Sequence, residues 1–159
     1  MPKDLLYLAS RMEKYSKAVG LDANQYTTDL SLAILAAVAQ DTPVDVGTAK
    51  SNWQLTIGSA AKGVRRAFSP FTSRWRAPRG QGGSKGETRN QAGVVWSGTN
   101  ALKARKPDQT VYIVNNSSYI DPLNEGHSPQ SQPGFVQKAV IRGRSTANSR
   151  FRFKNTERA

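Results

Sequence analysis

Two stretches of the chain carry residue types suited to binding chemistry, and both mix cations with aromatic rings. In the first, Arg65, Arg66, Arg74, Arg76, Arg79, Lys85 and Arg89 surround Phe68, Phe71 and Trp75. In the second, Arg150, Phe151, Arg152, Phe153 and Lys154 alternate basic and aromatic residues. Cations interleaved with rings suit phosphate contact with base stacking. They suit equally well the anchoring of one protein on another, because arginine and aromatic side chains dominate interface hot spots. As an extended strand, the second stretch would put Phe151 and Phe153 on one face and Arg150, Arg152 and Lys154 on the other. That pattern fits a strand added to a neighbouring subunit's sheet. Protein contact and DNA contact both stand as readings of these two stretches.

Catalytic chemistry has far less to work with. His127 is the sole histidine and lies in a Gly/Ser loop, where exposure to solvent is the usual state. Ser128 beside it lacks a placed carboxylate and oxyanion donors, so the pair is no triad. Without cysteine, thiolate nucleophiles, disulfides and thiolate metal sites are excluded. One histidine is too few for a zinc centre. Asp41 and Asp45 fall in a turn whose capping needs account for them. Gly80–Gly86 is glycine-rich but lacks the GK[ST] ending of a phosphate loop and a preceding strand. The sequence predicts no enzyme, no metal and no cofactor.

Charge separates the working segments from the rest. Residues 1–61 carry a net −1 and residues 90–137 a net 0, whereas 62–89 carry +7 and 138–159 carry +6. The whole excess of +12 therefore lies in one internal segment and the C-terminal end. Local fields of that size attract polyanions or acidic protein faces. The 159 residues suit one domain. The longest apolar run, Leu32–Ala39, is far short of a membrane span, and the N-terminus does not read as a secretion signal.

These segments need a scaffold, and the periodicities supply one. Leu5, Leu8, Met12, Tyr15 and Val19 form one helical stripe, and Gly20 reads as its stop. Asp22 and Gln25 resemble a capping box opening a second helix, on which Tyr26, Leu30, Ala33, Ile34, Ala37 and Val38 share a face. The helices are expected near 3–19 and 23–40, the second more buried. Pro43 ends the second, Gly47 can take positive φ, and Thr48–Asn52 suits one helical turn. Trp53, Leu55 and Ile57 alternate with polar residues as in a half-buried strand. Segment 62–89 loses periodicity and reads as a long basic Gly/Arg-rich loop. Gly93–Ser97 reads as a short strand, Asn100–Lys106 as a helical turn capped by Asn100, and Val111–Val114 as a strand. Phe135–Ile141 reads as a helix. The expected fold is α+β: a small antiparallel β-sheet packed against two N-terminal helices and one C-terminal helix. One domain spans 1–143, and 144–159 form a basic extended tail.

Two blocks carry a more specific pattern. The first is Asp41–Trp53, DTPVDVGTAKSNW, with Thr42, Pro43, Asp45, Gly47, Ser51 and Trp53. The second is Val111–Val136, with Asn115, Asn116, Tyr119, Leu123, Asn124, Glu125, Gly126, Ser128, Gln130, Pro133, Gly134, Phe135 and Val136. Residue by residue these suit turns, strand ends and helix entries. Tyr119 suits a packed ring, Glu125-Gly126 a turn, and Pro133-Gly134 the entry to the last helix.

In joint spacing they resemble the tail-completion or neck proteins of tailed bacteriophages, also described as head–tail joining or minor tail components. The resemblance covers roughly Leu30–Ile141, apart from the arginine-rich segment. Departures occur at Val46, at Ile120-Asp121-Pro122 and at Ser131-Gln132. The resemblance implies a non-enzymatic virion structural protein, assembled in the host cytoplasm. It implies a homo-oligomeric ring, sixfold with twelvefold as the other form, around the channel that DNA crosses. Its implied neighbours are the head connector on the portal side and the tail tube or tail terminator, with non-specific DNA contact and no membrane. The competing reading, from charge alone, is a free-standing basic nucleic-acid-binding protein.

Overall fold

A single helix of 39 residues, α1 (Lys3–Asp41), dominates the architecture and is about 58 Å long. The computed structural model describes residues 3–43, 47–68, 85–129 and 132–151, with backbone alone at 3–4 and 85–88. Along the chain α1 is followed by α2 (Thr48–Ser51), β1 (Trp53–Ile57), α3 (Lys85–Lys103), β2 (Val111–Asn115), α4 (Ile120–Asn124) and α5 (Phe135–Arg150). The protein is thus a mixture of helix and a two-stranded antiparallel sheet, with a long N-terminal and a shorter C-terminal helix.

The expected pair of N-terminal helices is one continuous element. Gly20 stays helical and does not adopt the left-handed conformation of a helix stop. A glycine inside a helix costs about 1 kcal/mol relative to alanine. That is less than losing the hydrogen bonds of a break, since Ala18, Val19 and Leu21 continue the helix on both sides. Asp22, read as a cap, is a buried residue within the helix. The helix stops after Asp41, where Pro43 cannot supply an amide donor. Thr42 finishes the last turn, its amide and hydroxyl both donating to the Val38 carbonyl.

Three further sequence expectations are corrected. Gly93–Ser97 is not a strand but the middle of α3. Gly93 and Gly98 of α3 are close-packing points: a Cβ at Gly93 would meet the Phe68 ring, and one at Gly98 would strike Leu35. Asn100 is a residue of the same helix, not the cap of a new one. Finally, α5 does not end near Ile141 but runs to Arg150, so residues 144–150 of the expected tail are helical. Small residues explain the extension, because Gly143 and Ala147 let α5 lie close against α1.

The sheet pairs β1 with β2 in the register Trp53–Asn115, Leu55–Ile113 and Ile57–Val111. Two strands alone are marginally stable, so the helices must supply the core. That core joins Leu35, Val38 and Ala39 of α1 to Trp53 and Leu55 of β1. Val94 and Leu102 of α3, Ile120 of α4, and Phe135 and Ala139 of α5 complete it. α5 runs antiparallel to the C-terminal half of α1, with Gly143 against Ile34, and Asn148 and Phe151 against Tyr26. Two cations meet the C-terminal end of α1, where the helix dipole is negative. The buried Lys50 donates to the Gln40 carbonyl at 3.2 Å, and Arg142 reaches the Asp41 carboxylate at 2.7 Å and the Ala37 carbonyl at 3.3 Å.

Candidate functional site

The two signature blocks meet at the strand pair. Asn115 lies opposite Trp53, and its side-chain amide donates to the Ala49 carbonyl at 2.8 Å. Its carbonyl oxygen accepts the Ser117 amide at 3.0 Å, which turns the chain out of β2. Trp53 is anchored by its indole N–H, which donates to the buried Thr42 hydroxyl at 2.7 Å. Gly47 has φ 82°, so the first turn requires the left-handed conformation that its sequence suggested. Thr48–Ser51 form the expected helical turn. Pro43 is half-buried beside it, and Asp45 lies outside the described residues.

The second block builds the entry to α5. Ile120, Asp121 and Pro122 form the short helix α4, with Ile120 buried in the core. Tyr119 precedes it and is 53% exposed, rather than packed as expected. Asn124 ties the loop closed from both its groups: its backbone carbonyl accepts the Gly134 amide at 2.7 Å, and its side chain accepts the Val136 amide at 3.0 Å. The latter satisfies a donor in the first turn of α5, so Asn124 acts as a cap from outside the helix. Glu125 is exposed, and Gly126 has φ 95° with Pro133 packed where a side chain would stand. Phe135 is buried at the start of α5. These residues hold one strand, two turns and one helix in place, which is a scaffold's work.

The first basic segment leaves this scaffold from a row of side-chain amides that sequence reasoning did not single out. Asn52 clamps the backbone of Arg65, accepting its N–H at 2.6 Å and donating to its carbonyl at 2.9 Å. Gln54 donates to the Gly63 carbonyl at 3.0 Å, and Asn116 donates to the carbonyls of Ala61 and Gly63. Ser51 accepts the Phe68 amide and donates to Asn90 on α3. A buried amide is favourable only when its groups are paired, and here the partners are the backbone of residues 61–68. Only the alternation around Trp53 hinted at this, by placing Gln54 on a strand.

The basic residues divide accordingly. Arg65 is exposed, and its guanidinium donates to the Ser97 hydroxyl of α3 at 3.1 Å. Arg66 and Arg89 are exposed. Lys85 opens α3, so residues 85–89 of the expected loop are helical, and Arg74, Trp75, Arg76 and Arg79 lie outside the described residues. Arg89, Trp96 and Lys103 recur every seven residues along α3, so they share one side of the helix, and Trp96 is 68% exposed. Trp96 extends the cation-and-ring pattern beyond the residues the sequence suggested, having been concealed inside an apparent strand. At the other end, Arg150 is exposed in the last turn of α5. Phe151 packs against Tyr26 with ring centroids 4.7 Å apart. It is therefore part of the folded body, while Arg152, Phe153 and Lys154 lie outside the described residues.

His127 is exposed, and its backbone amide donates to the Pro122 carbonyl. Among the described residues no group of three or more His, Asp or Glu side chains is placed to hold a metal ion, and no helix is long and apolar enough to cross a membrane. No family model matches the chain, and no curated protein or solved structure is similar to it at a significant level.

Proposed function

We propose that this chain is a non-enzymatic structural protein of a tailed bacteriophage neck, joining the head connector to the tail. It works as a ring subunit around the DNA channel, sixfold in its simplest form. The observation carrying this reading is the contact between the two signature blocks. Asn115 of one bonds Ala49 of the other across a sheet in which Asn115 faces Trp53. The pattern behind the resemblance thus corresponds to one folded unit, with the cation-and-ring surfaces held at its margins.

The mechanism is binding alone. Amides of Asn52, Gln54 and Asn116 fix where the basic segment departs beside the exposed Arg66, while the exposed Arg89 is carried by α3. Such cations contact phosphate without reading sequence, and the contact weakens as salt rises. Other basic residues dock on the neighbouring ring or on the tail. The localisation that follows is the virion neck, after assembly in the host cytoplasm.

Deleting the gene for this chain from the producing phage tests the reading by electron microscopy of the lysate. The expected result is filled heads and finished tails that remain separate, with joining restored by the purified protein. Normally joined particles in its absence would overturn the proposal. Steep, salt-dependent DNA binding by an isolated monomer with no place in the particle would support the free-standing nucleic-acid binder instead.

A further inference from the structure

The N-terminal half of α1 carries a long apolar stripe that the described body of the protein leaves bare. Leu5, Leu8, Met12 and Val19 are between 47% and 64% exposed, and Tyr15 is 37% exposed. Their spacing of 3, 4, 3, 4 is that of a helix face built to be buried. An exposed apolar patch of this extent marks an interaction site. The arm is braced as a helix by its own side chains. Glu13 and Lys17 pair at 2.7 Å, and the Arg11 guanidinium lies over the rings of Tyr7 and Tyr15.

Further along α1 an adjoining face, beside the one that packs on α5, forms the floor of an open groove of about 650 Å3. Ala23, Thr27, Leu30 and Ile34 line the floor, and Val111 and Ile113 of β2 line the wall. Arg105 closes one side by donating to Asn24. The arm from Leu5 to Val19 and the floor from Gly20 to Ile34 each span fifteen residues of helix, or about 21 Å of rise. Gly20, where the two meet, has open space where a side chain would stand. A helical arm and a groove of equal length therefore lie end to end along one continuous helix. A continuous helix cannot fold back on itself, so the arm cannot enter its own groove.

We propose that the arm Leu5–Val19 of one copy lies in the Gly20–Ile34 groove of the next copy, head to tail. This is helix-in-groove recognition. A heterologous contact of this kind closes into a ring where its rotation permits. The inference rests on the ring-subunit reading and names the surface that makes the ring.

The chain has no cysteine, so engineered thiols report the contact cleanly. Met12 and Thr27 are fifteen residues apart and should face each other between copies. The test compares purified M12C, T27C, their equimolar mixture and the double variant under mild oxidation, beside light scattering of the wild type. The expected result is a disulfide dimer in the mixture, little from either variant alone, and a ladder of multimers from the double variant. M12D, on an exposed surface and with unchanged helicity, is expected to weaken self-association at least ~10-fold. A ring-forming wild type whose mixture does not cross-link, or whose ring survives M12D, overturns this contact and leaves the ring standing. Cross-linking of M12C with itself, or a double variant that stops at a dimer, overturns the head-to-tail arrangement. A wild type that remains monomeric by itself and in the particle overturns the ring, and this contact with it.

Discussion

Asn52 grips Arg65 by both of its backbone groups, with 2.6 Å from the Arg65 N–H to Oδ1 and 2.9 Å from Nδ2 to the Arg65 carbonyl. The amide thereby does what a paired strand residue would do, and it fixes the exit of the basic segment. It is fully buried and also donates to the Thr48 carbonyl at 2.7 Å. Replacing Asn52 by alanine removes all three bonds and is expected to cost about 2 kcal/mol. Urea unfolding measures the loss, and limited proteolysis should show faster cleavage within residues 62–89. Unchanged cleavage would mean that the clamp does not govern this segment.

A second prediction concerns the joint between α1 and α5. A Cβ at Gly143 would lie 2.6 Å from the Ile34 Cα and 2.9 Å from the Ala33 carbonyl oxygen. Backbone atoms cannot step aside as a flexible side chain can. Gly143→Ala is therefore expected to force the helices apart and to cost ~1–3 kcal/mol. Thermal unfolding checks it, and a stability equal to wild type would show that the joint is loose.

The Trp53 anchor gives a third. Thr42→Val preserves shape but removes the acceptor of the indole N–H in a buried site. Leaving that donor unpaired is expected to cost ~1–3 kcal/mol. Trp53→Phe removes donor and acceptor demand together, so adding it to Thr42→Val should cost less than the sum of the two single changes. A double-mutant cycle in urea measures the coupling, and strict additivity would refute it.

How much of this was legible in the sequence depends on the range of the interaction. Local signals read well: the Trp53–Ile57 alternation, the Val111 run, the turn at Gly47 and the entry to the last helix at Phe135 correspond to structure. Glycine misled wherever packing set its role. Gly20 is spanned by a helix, while Gly93 and Gly98 weaken the helical pattern of α3 because Phe68 and Leu35 need their space. Gly143 similarly concealed the extension of α5. The amide row of Asn52, Gln54 and Asn116 was not readable, because each bonds a backbone group nine or more residues away. The stripe from Leu5 to Val19 was readable as a helix face, but its lack of cover within the described body required the fold.

That extension of α5 defines the proper truncation. Deleting residues 144–159 removes the buried Ala147, the Asn148 bond to Tyr26 and the Phe151 ring packed on Tyr26. It is expected to cost at least ~2 kcal/mol. Deleting only 152–159 spares all of these and should leave stability within ~0.5 kcal/mol of wild type. Chemical unfolding of both truncations separates the fold from any assembly role of the last eight residues. Equal stability of the two would contradict the structural role of 144–151.

The DNA-facing part of the account predicts a salt effect. Arg66 and Arg89 are exposed, so replacing both by alanine should leave the fold intact. If both contact phosphate, the slope of log affinity against log salt becomes shallower by about 2. Fluorescence anisotropy with duplexes of unrelated sequence measures it. An unchanged slope would assign these two arginines to protein contact.

The central claim is that the chain forms a closed ring at the junction of head and tail. A cryo-electron microscopy reconstruction of the neck of the assembled particle tests it most directly. The account predicts a ring of this chain around the DNA channel, between the head connector and the tail, with the arm Leu5–Val19 of each copy seated on the next. Density for the chain elsewhere in the particle, or its absence from a fully joined particle, would contradict it.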